Sequence, residues 1–266
     1  MFDRYNRRIN YLRISVTDRC NLRCRYCMPP DGIPLLKHAD ILSFEEISAV
    51  VTVAVSMGID KIRLTGGEPL VRKGIAELTR MIATVNGVQD LGMTTNGLLL
   101  SQFAVPLKDA GLQRVNISLD TLDPDKFRIL TRGGDLKEVL DGIHAAQKAD
   151  LYPIKINCVV AESSDEVDAL AIREFTEREG LQARFIKRMD LETGVFSEVE
   201  GGEGGNCSIC NRLRLTANGM LKPCLFSDLE FSVRNLGAEK ALLGALNAKP
   251  LRGCYNTMNK FYNIGG

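Results

Sequence analysis

The sequence has almost no net charge, and this absence limits the partners that it can bind. Lys and Arg number 34 and Asp and Glu number 33, which leaves a net charge of +1 on 266 residues. A chain that binds nucleic acid over a broad surface has an excess of basic residues, and a solvating tail has an excess of acidic ones. We therefore expect no nucleic-acid partner, and any group of basic residues has to be interpreted locally.

The sequence also lacks a long apolar run. No segment approaches the roughly 20 apolar residues that a membrane-spanning helix needs. Residues 1–8 are polar and charged and have no hydrophobic core of a secretory signal. We therefore expect a cytoplasmic protein without a membrane partner, in which the eight cysteines are metal ligands or catalytic thiols rather than a disulfide framework.

Up to residue 190, short apolar runs alternate with amphipathic segments that have apolar residues three and four positions apart. Six such repeats predict an α/β fold with a mostly parallel sheet covered by helices. They are too few for a closed eight-stranded barrel, so we expect a partial (β/α)6 TIM-like barrel with its functional groups at the carboxyl ends of the strands. A doubly wound open sheet is the alternative. The predicted strands are 11–16, 61–65, 91–95, 114–119, 154–160 and 183–188, and the predicted helices are 43–57, 75–85, 136–150, 166–179, 239–247 and a short one from 123.

The regular alternation ends after residue 190. Residues 191–205 end in Gly201-Gly202-Glu203-Gly204-Gly205, a composition typical of a flexible linker. We therefore expect a barrel at 1–190, a Gly-rich linker at 191–205 and a small C-terminal region at 206–266 that binds a cluster and ends in a Gly-Gly tail.

Three cysteines follow the first predicted strand with the spacing C-x3-C-x2-C. This N-terminal cysteine group consists of Cys20, Cys24 and Cys27. Three thiolates this close can hold three corners of a cubane iron–sulfur cluster and leave one iron open to another ligand. A zinc site or free thiols are the alternatives, but a closed zinc site needs four protein ligands, and no nearby histidine or fourth cysteine is present. With Tyr26 before the last cysteine, the spacing resembles the radical S-adenosylmethionine (SAM) superfamily.

Gly66-Gly67-Glu68-Pro69 directly follows the second predicted strand. Paired glycines let backbone approach a ligand closely, and a carboxylate beside them can meet an ammonium group. Gly-Gly before Pro is more often only a turn. One strand after the N-terminal cysteine group, however, this segment resembles the part of the superfamily that holds the amino group of SAM.

A second set of cysteines has the spacing C-x2-C-x13-C. This C-terminal cysteine group consists of Cys207, Cys210 and Cys224. Three ligands again suit a cluster with one open iron better than closed zinc, and a zinc knuckle completed by Cys254 is the alternative. Arg212 and Arg214 stand between these cysteines, and in an extended segment their side chains point the same way. Two guanidinium groups beside a cluster can hold a phosphate or a base edge, whereas a solvated strand face is the simpler interpretation.

Further segments share one pattern with these motifs. They are 11–20, 62–70, 93–97, 116–120, 155–157, 184–186, 207–226 and the terminal Gly265-Gly266. Together they resemble the GTP 3′,8-cyclase (MoaA) family, which makes the first committed intermediate of molybdenum cofactor biosynthesis. The resemblance covers nearly the whole chain, and two cysteine motifs with a Gly-Gly end are rarer together than either motif alone.

This resemblance implies a radical SAM lyase with two 4Fe–4S clusters. In that family the N-terminal cluster binds SAM and splits it to a 5′-deoxyadenosyl radical, which removes hydrogen from C3′ of GTP so that C3′ attacks C8 of guanine. The second cluster holds the guanine, and the product is (8S)-3′,8-cyclo-7,8-dihydroguanosine 5′-triphosphate. The implied partners are GTP, a reductant such as flavodoxin or ferredoxin and the next enzyme of the molybdopterin pathway, and a homodimer is left open.

The resemblance also assigns residues to each ligand. The six cysteines of the two groups are the expected metal ligands. The residues expected to face SAM are Tyr26, Gly66, Gly67, Glu68, Ser118 and Met189. The residues expected to face GTP are Arg13, Arg63, Thr94, Lys155, Arg212 and Arg214. Arg184, Gly265 and Gly266 are expected at catalytic positions. Several cations that converge on one cleft of a near-neutral chain are what a triphosphate requires.

The chain departs from the family pattern in three places. The segment between residues 186 and 207 is short and Gly-rich, Lys187 stands where the family usually has Glu, and Gly253-Cys254 stands where a His-rich stretch is expected. These departures indicate a shortened or divergent member. They leave open a MoaA-like enzyme that modifies a peptide or another nucleotide, and a non-catalytic iron–sulfur protein. Cys158 is expected to be a small buried side chain on its strand.

Overall fold

A computed structural model describes residues 1–258 and 261–264 of the chain. In these residues the strands are β1 Tyr11–Ser15, β2 Lys61–Thr65, β3 Asp90–Thr95, β4 Arg114–Ser118, β5 Lys155–Val160, β6 Gln182–Lys187, β7 Arg212–Leu215, β8 Met220–Lys222 and β9 Phe231–Ser232. They form one sheet in the order β6-β5-β4-β3-β2-β1-β7-β8-β9. The first six strands and β7 are parallel, and β8 and β9 are added antiparallel.

This topology confirms the α/β fold with a partial, open barrel. Each of the six predicted strands lies within one residue of its expected bounds. The doubly wound alternative is wrong, because β1 to β6 are neighbours in sequence order and the order does not reverse among them. No helix in the described part of the chain is long and apolar enough to cross a membrane.

The helices cover the sheet, and the six predicted ones begin within one residue of their expected starts. They are α1 Phe44–Ser56, α2 Ile75–Ala83, α3 Leu100–Asp109, α4 Pro124–Thr131, α5 Leu136–Lys148, α6 Val167–Arg178, α7 Val233–Leu236, α8 Ala238–Asn247 and α9 Phe261–Ile264. The capping box before α1 is present, since Ser43 Oγ accepts from Glu46 N at 3.2 Å and Glu46 Oε2 accepts from Ser43 N at 2.7 Å. The sequence does not predict α3, because Pro106 lies inside it. Its buried Leu100, Ala104 and Leu107 pack into the core and hold the helix despite the proline.

The strands alternate between an apolar face that packs in the core and a face that is mostly polar. On β1, Leu12 and Ile14 are fully buried in the core shared with the helices. Tyr11 and Arg13 on the same strand point to the opposite face and into the barrel. The other parallel strands repeat the pattern, and Cys158 on β5 is a core residue with 1% exposure, as expected. The barrel interior is therefore polar, and the core lies between the sheet and the helices.

Residues 191–205, whose composition predicts a flexible linker, are instead fixed against β6. Phe185 and Glu200 exchange two backbone hydrogen bonds of 3.1 Å. Gly201 and Gly205 have positive φ angles, and a Cβ atom at Gly201 would collide with the carbonyl oxygen of Ala183. These glycines allow close packing, because a residue with a Cβ atom would not let the two backbones approach this closely. The C-terminal region continues the same sheet through β7, and the division into domains remains a prediction.

Candidate active site

A cavity of about 770 Å³ runs along the inside of the barrel and is lined by residues of β1 to β7. The described residues that the sequence assigned to a ligand all line it. They are the cysteine groups Cys20, Cys24, Cys27, Cys207, Cys210 and Cys224, the SAM candidates Tyr26, Gly66, Gly67, Glu68, Ser118 and Met189, the GTP candidates Arg13, Arg63, Thr94, Lys155, Arg212 and Arg214, and the catalytic candidate Arg184. Gly265 and Gly266 lie outside the described residues.

The two cysteine groups lie at opposite ends of this cavity. The N-terminal group follows the carboxyl end of β1. Cys210 precedes β7, which is parallel to β1 with Tyr11 paired to Arg212, and Cys224 follows the antiparallel β8 at the same end. At about 3.3 Å per residue, a five-residue strand spans roughly 13 Å between its ends. A substrate of nucleotide size can therefore lie between the two groups.

The N-terminal cysteine group has the chemistry of a cluster-binding set. Burial, and then the negative charges of the other thiols and Asp120, raise the pKa of Cys24 and Cys27 to about 12. These thiols cannot ionise together unaided, whereas a metal centre among them deprotonates coordinating thiols. In the described residues no three Cys, His, Asp or Glu side chains converge on one metal ion. A cubane does not require such convergence, because each thiolate binds a different iron.

Gly66 and Gly67 bring the end of β2 against the cysteine loop. Gly67 N donates to Thr17 O at 2.7 Å, and Glu68 N donates to Arg19 O at 2.8 Å. A Cβ atom at Gly66 would lie 2.6 Å from Thr17 O, and one at Gly67 would collide with Arg19 O. The glycine pair is therefore required by the contact between two backbones, in addition to any approach of a ligand.

Glu68 also has a structural role, which the sequence did not indicate. Its carboxylate is 1% exposed and accepts from Thr95 Oγ1 at 2.7 Å, Asn96 N at 2.7 Å and Leu70 N at 3.0 Å. Burial raises the pKa of Glu68 to about 7, so a nearby cation would favour its ionised form. Glu68 thus fixes the ends of β2 and β3 beside the cysteine loop, and its contact with the ammonium group of SAM remains a prediction.

Asp120 is a site residue to which sequence reasoning gave no role. Tyr26 Oη donates to Asp120 Oδ2 at 2.8 Å, and Val159 N donates to Asp120 Oδ1 at 2.8 Å. Burial raises the pKa of Asp120. The carboxylate therefore holds Tyr26 beside the N-terminal cysteine group. Its position just after β4, at the carboxyl end of a barrel strand, was the available signal.

Three arginines form a row across the barrel interior. Arg214 on β7, Arg13 on β1 and Arg63 on β2 occupy neighbouring paired positions, and we call them the basic row. Like charges that face each other across strands destabilise a sheet. Burial lowers the pKa of Arg13 to about 9 and that of Arg214 to about 10. Gly92 makes room for the row, since a Cβ atom there would lie 3.2 Å from Arg63 Nη2.

Several buried polar atoms around the basic row have no hydrogen-bond partner in the described structure. They are Arg63 Nη1, Thr94 Oγ1, Asn116 Oδ1, Asn157 Oδ1, Arg184 Nε and Arg212 Nε. Burial and then the charge of Arg184 lower the pKa of Lys155 to about 8. Because buried polar groups are normally paired, the arginine donors indicate a ligand with anionic acceptors, and the two asparagine oxygens indicate that the ligand also carries donors.

Tyr11 lies among these cations, and sequence reasoning gave it no individual role. Its hydroxyl accepts from Arg63 Nε at 2.6 Å, and Arg212 lies 5.5 Å from the centre of its ring. Burial raises the pKa of Tyr11, but the charges of Arg63 and Arg13 outweigh burial and lower it to about 8. Its alternation with the buried Leu12 was the signal that it faces the barrel interior.

The expectation that all functional groups up to Met189 lie at the carboxyl ends of strands is wrong for the basic residues. Arg13 and Arg63 are in the middle of their strands, and Lys155 is the first residue of β5. The splayed barrel leaves its interior open, so that polar side chains on alternate strand positions can line a cavity there.

Comparisons with known proteins agree with this arrangement. A family model described as the radical SAM superfamily matches residues 14–175. GTP 3′,8-cyclase of Moorella thermoacetica is 41% identical over 297 aligned positions, which cover 94% of this chain and 92% of that protein. GTP 3′,8-cyclase of Peptoclostridium acidaminophilum is 44% identical, with 88% and 85% covered. The chain belongs to the GTP 3′,8-cyclase family of radical SAM enzymes. It therefore uses SAM and an iron–sulfur cluster.

Solved structures show the same fold at low identity. Methylornithine synthase (PylB) superposes with a TM-score of 0.58 at 17% identity and covers 91% of this chain and 70% of that chain. SuiB of Streptococcus suis, solved bound to SAM, gives a TM-score of 0.53 at 16% identity and covers 69% of this chain. This chain spans only 41% of the length of SuiB. These two likenesses concern the fold alone.

The chain is a shortened member of the GTP 3′,8-cyclase family. Since 94% of 266 residues is about 250, many of the 297 positions aligned with the Moorella relative have no counterpart here. The short segment 191–205 nevertheless forms cavity wall, with Gly201 to Gly205 along it. Lys187 also lines the cavity and pairs with Glu162 at 3.2 Å.

The alternative of a zinc knuckle completed by Cys254 finds no support in the geometry. Cys254 is exposed, does not line the cavity, and its thiol donates only weakly to Arg252 O at 3.8 Å. Within the C-terminal cysteine group, burial raises the pKa of Cys210, but the charges of Lys249 and Arg212 outweigh burial and lower it. A thiolate is thus favoured at Cys210, as a metal ligand requires.

Proposed function

We propose that this chain is a radical SAM GTP 3′,8-cyclase that converts GTP to (8S)-3′,8-cyclo-7,8-dihydroguanosine 5′-triphosphate, in the first step of molybdopterin biosynthesis. The observation that carries the proposal is the basic row, buried between two cysteine groups in one cavity. Family membership at 41–44% identity to named GTP 3′,8-cyclases supports it independently.

At the N-terminal end, the residues around the cysteine group bind and orient SAM. When bound, the cluster of this group supplies the electron that cleaves SAM. The Gly66-Gly67 turn, Ser118 and Met189 line this end of the cavity. Tyr26, held by Asp120, is fixed toward the same end. Because these groups are anchored by internal hydrogen bonds, the reacting atoms meet a prearranged site.

At the other end, the basic row receives the triphosphate, and the C-terminal cysteine group carries a second 4Fe–4S cluster that holds the guanine. Three neighbouring guanidinium groups repel one another in the empty protein, and a triphosphate would neutralise them. Lys155, Thr94 and Arg184 extend the polar groups along the cavity wall. We expect Arg184 to act at a catalytic position. Burial makes these interactions stronger than in water and excludes solvent from the radical.

The alternative of a peptide substrate is disfavoured by the same cations. A peptide carries far less negative charge than a triphosphate, so it matches the several cations that line the cavity less well. Another nucleotide would satisfy the row as well as GTP does, and the names of the relatives favour GTP. A reductant such as flavodoxin or ferredoxin, transfer to the next enzyme of the pathway, a homodimer and a cytoplasmic location belong to the same proposal.

An anaerobic assay of the reconstituted protein with SAM, GTP and a reductant tests the proposal. We expect 5′-deoxyadenosine and the cyclised nucleotide to form together, and neither ATP nor a peptide to replace GTP. Formation of 5′-deoxyadenosine with no GTP-derived product would contradict the proposed substrate while leaving the radical SAM chemistry intact.

We expect GTP binding to weaken as the pH rises through about 8. The pKa of Lys155 is lowered to about 8, chiefly by burial, and that of Tyr11 to about 8 by the surrounding arginines. Above this pH Lys155 loses its positive charge and Tyr11 gains a negative one, and both changes reduce the attraction for a triphosphate. The measurement is the KM for GTP between pH 6.5 and 9.5, with the KM for SAM as the control. A KM for GTP that stays constant across this range would contradict the prediction.

Removal of Gly265 and Gly266 is expected to suppress formation of the cyclised product. The last described residue before them, Ile264, is fully buried against Leu225 and Phe226, next to Cys224 of the C-terminal group. Residues that follow it can reach the substrate end of the cavity, where a misplacement of about 1 Å costs on the order of a hundredfold in rate. The measurement is the single-turnover rate, with iron content and SAM binding as controls. Turnover at the full-length rate would contradict a role for the tail.

A further inference from the structure

A buried lysine connects the two chain segments of the C-terminal cysteine group, one with Cys207 and Cys210 and the other with Cys224. Lys249 follows α8 and is 2% exposed. Its ammonium group donates to Cys210 Sγ at 3.4 Å, Arg212 O at 2.8 Å and Pro223 O at 3.0 Å. An ammonium group has three N–H donors, so this set uses all of them.

The three acceptors flank the predicted metal ligands. Arg212 follows Cys210 by two positions, and Pro223 immediately precedes Cys224. One ammonium group therefore fixes the two chain segments that supply the thiols. It also fixes the start of β7, where Arg212 begins the strand that carries Arg214 of the basic row.

A buried ammonium ion needs a negative partner, because burial of an isolated charge is costly. None of the three hydrogen bonds of Lys249 in the described structure goes to a carboxylate. Its one acceptor that can carry a full charge is the Cys210 sulfur, at 3.4 Å. A thiolate that binds a metal at this position supplies the negative partner of Lys249.

We infer that Lys249 is a positioning residue that holds Cys210 in the C-terminal cluster and raises the reduction potential of that cluster. The inference rests on the proposed second cluster. A hydrogen bond and a positive charge at a ligand sulfur stabilise the reduced state, which is the more negatively charged of the two. Sequence reasoning missed this residue because it lies 25 positions after Cys224 and outside the cysteine motif.

The position of this segment does not depend on Lys249 alone. Arg7 is also buried, and it donates to Cys207 O at 2.6 Å and to Pro250 O at 2.7 Å. Its guanidinium group therefore ties the residue next to Lys249 to the first cysteine of the C-terminal group. A substitution at Lys249 should leave this second tie in place, so that its electrostatic effect can be measured in a folded protein.

The test is a redox titration of the C-terminal cluster, followed by electron paramagnetic resonance, in the full-length chain. The N-terminal cysteine group is replaced by alanine in every sample, so that only one cluster contributes to the signal. Lys249→Met removes the ammonium group and keeps the length of the side chain. Lys249→Arg keeps the charge, and Lys240→Met is the matched control, because Lys240 is exposed on α8.

For Lys249→Met we expect a more negative potential, with the one-electron reduction equilibrium shifted by about tenfold, or about 59 mV. We expect Lys249→Arg to shift it less and Lys240→Met to leave it unchanged. Loss of iron from Lys249→Met with retention in Lys249→Arg would also support the inference, because charge is what Lys and Arg share. Loss from both would overturn it, because shape rather than charge would then be the requirement.

Two further outcomes separate this inference from the proposed function. If Lys249→Met retains its iron and its reduction potential is unchanged, the inference about Lys249 is overturned and the proposed second cluster is not. Absence of iron from the sample with an unaltered Lys249 would overturn the proposed second cluster, and this inference with it.

Discussion

Replacement of Cys20, Cys24 and Cys27 by alanine is expected to halve the bound iron and to abolish SAM cleavage. These thiols are the proposed ligands of the cluster at the carboxyl end of β1, and the other cysteine group lies at the opposite end of the cavity. Because the two sets share no ligand, loss of one should not remove the other. The measurements are iron and sulfide content after anaerobic reconstitution and 5′-deoxyadenosine formation.

Cys254→Ala is the matched control for this experiment, because Cys254 is exposed and does not line the cavity. It should leave iron content and SAM cleavage unchanged. Retention of all the iron in the triple variant, or incorporation of zinc in place of iron, would show that the N-terminal group does not hold a cluster.

Arg214→Ala is expected to weaken GTP binding by roughly ten- to a hundredfold, with SAM affinity almost unchanged. Charge-assisted hydrogen bonds contribute about 1.5–3 kcal/mol each, and about 1.4 kcal/mol corresponds to a tenfold change in affinity. Arg214 is buried in the basic row and is paired with Arg13 in the middle of β1, not with the residues that line the SAM end. Calorimetric titrations of the reconstituted protein with GTP and with SAM measure the two affinities separately.

A surface variant tests whether the loss of GTP affinity is specific to the cavity. Arg80 on α2 is exposed and pairs only with Glu77 at 2.6 Å, so Arg80→Ala should affect neither ligand. An equal loss of GTP and SAM affinity in Arg214→Ala would indicate a general disturbance of the fold, and would count against a GTP site at the basic row.

The sequence predicted the residues that line the cavity, but it did not predict the residues that support them. The cysteine spacings and the motif positions identified residues that the structure brings onto one cavity wall. The sequence did not reveal the hydrogen-bonded supports of these residues. Asp120 supports Tyr26, and Lys249 supports Cys210, across 94 and 39 positions of the chain. Such partners meet only through the fold, and no spacing rule in the sequence connects them.

The sequence by itself determined the elements and the chemistry of this protein. Alternation of apolar and polar residues set the six strands β1 to β6 to within one residue, because neighbouring residues of a strand point to opposite faces. It did not reveal β7, β8 or β9. The cysteine spacings set the type of metal centre. Both signals are local, so they can be recognised in the sequence without knowledge of the fold.

Only the tertiary structure decided where these elements stand relative to one another. Pairing of β7 with β1 joins the C-terminal region to the barrel sheet and brings Arg214 beside Arg13. It also puts the two cysteine groups at opposite ends of one cavity, and it turns the Gly-rich segment 191–205 into a wall. These placements depend on contacts between residues 200 or more positions apart, such as Arg7 with Cys207. Long-range packing therefore decided them, because a local sequence pattern carries no information on which distant strand becomes a neighbour.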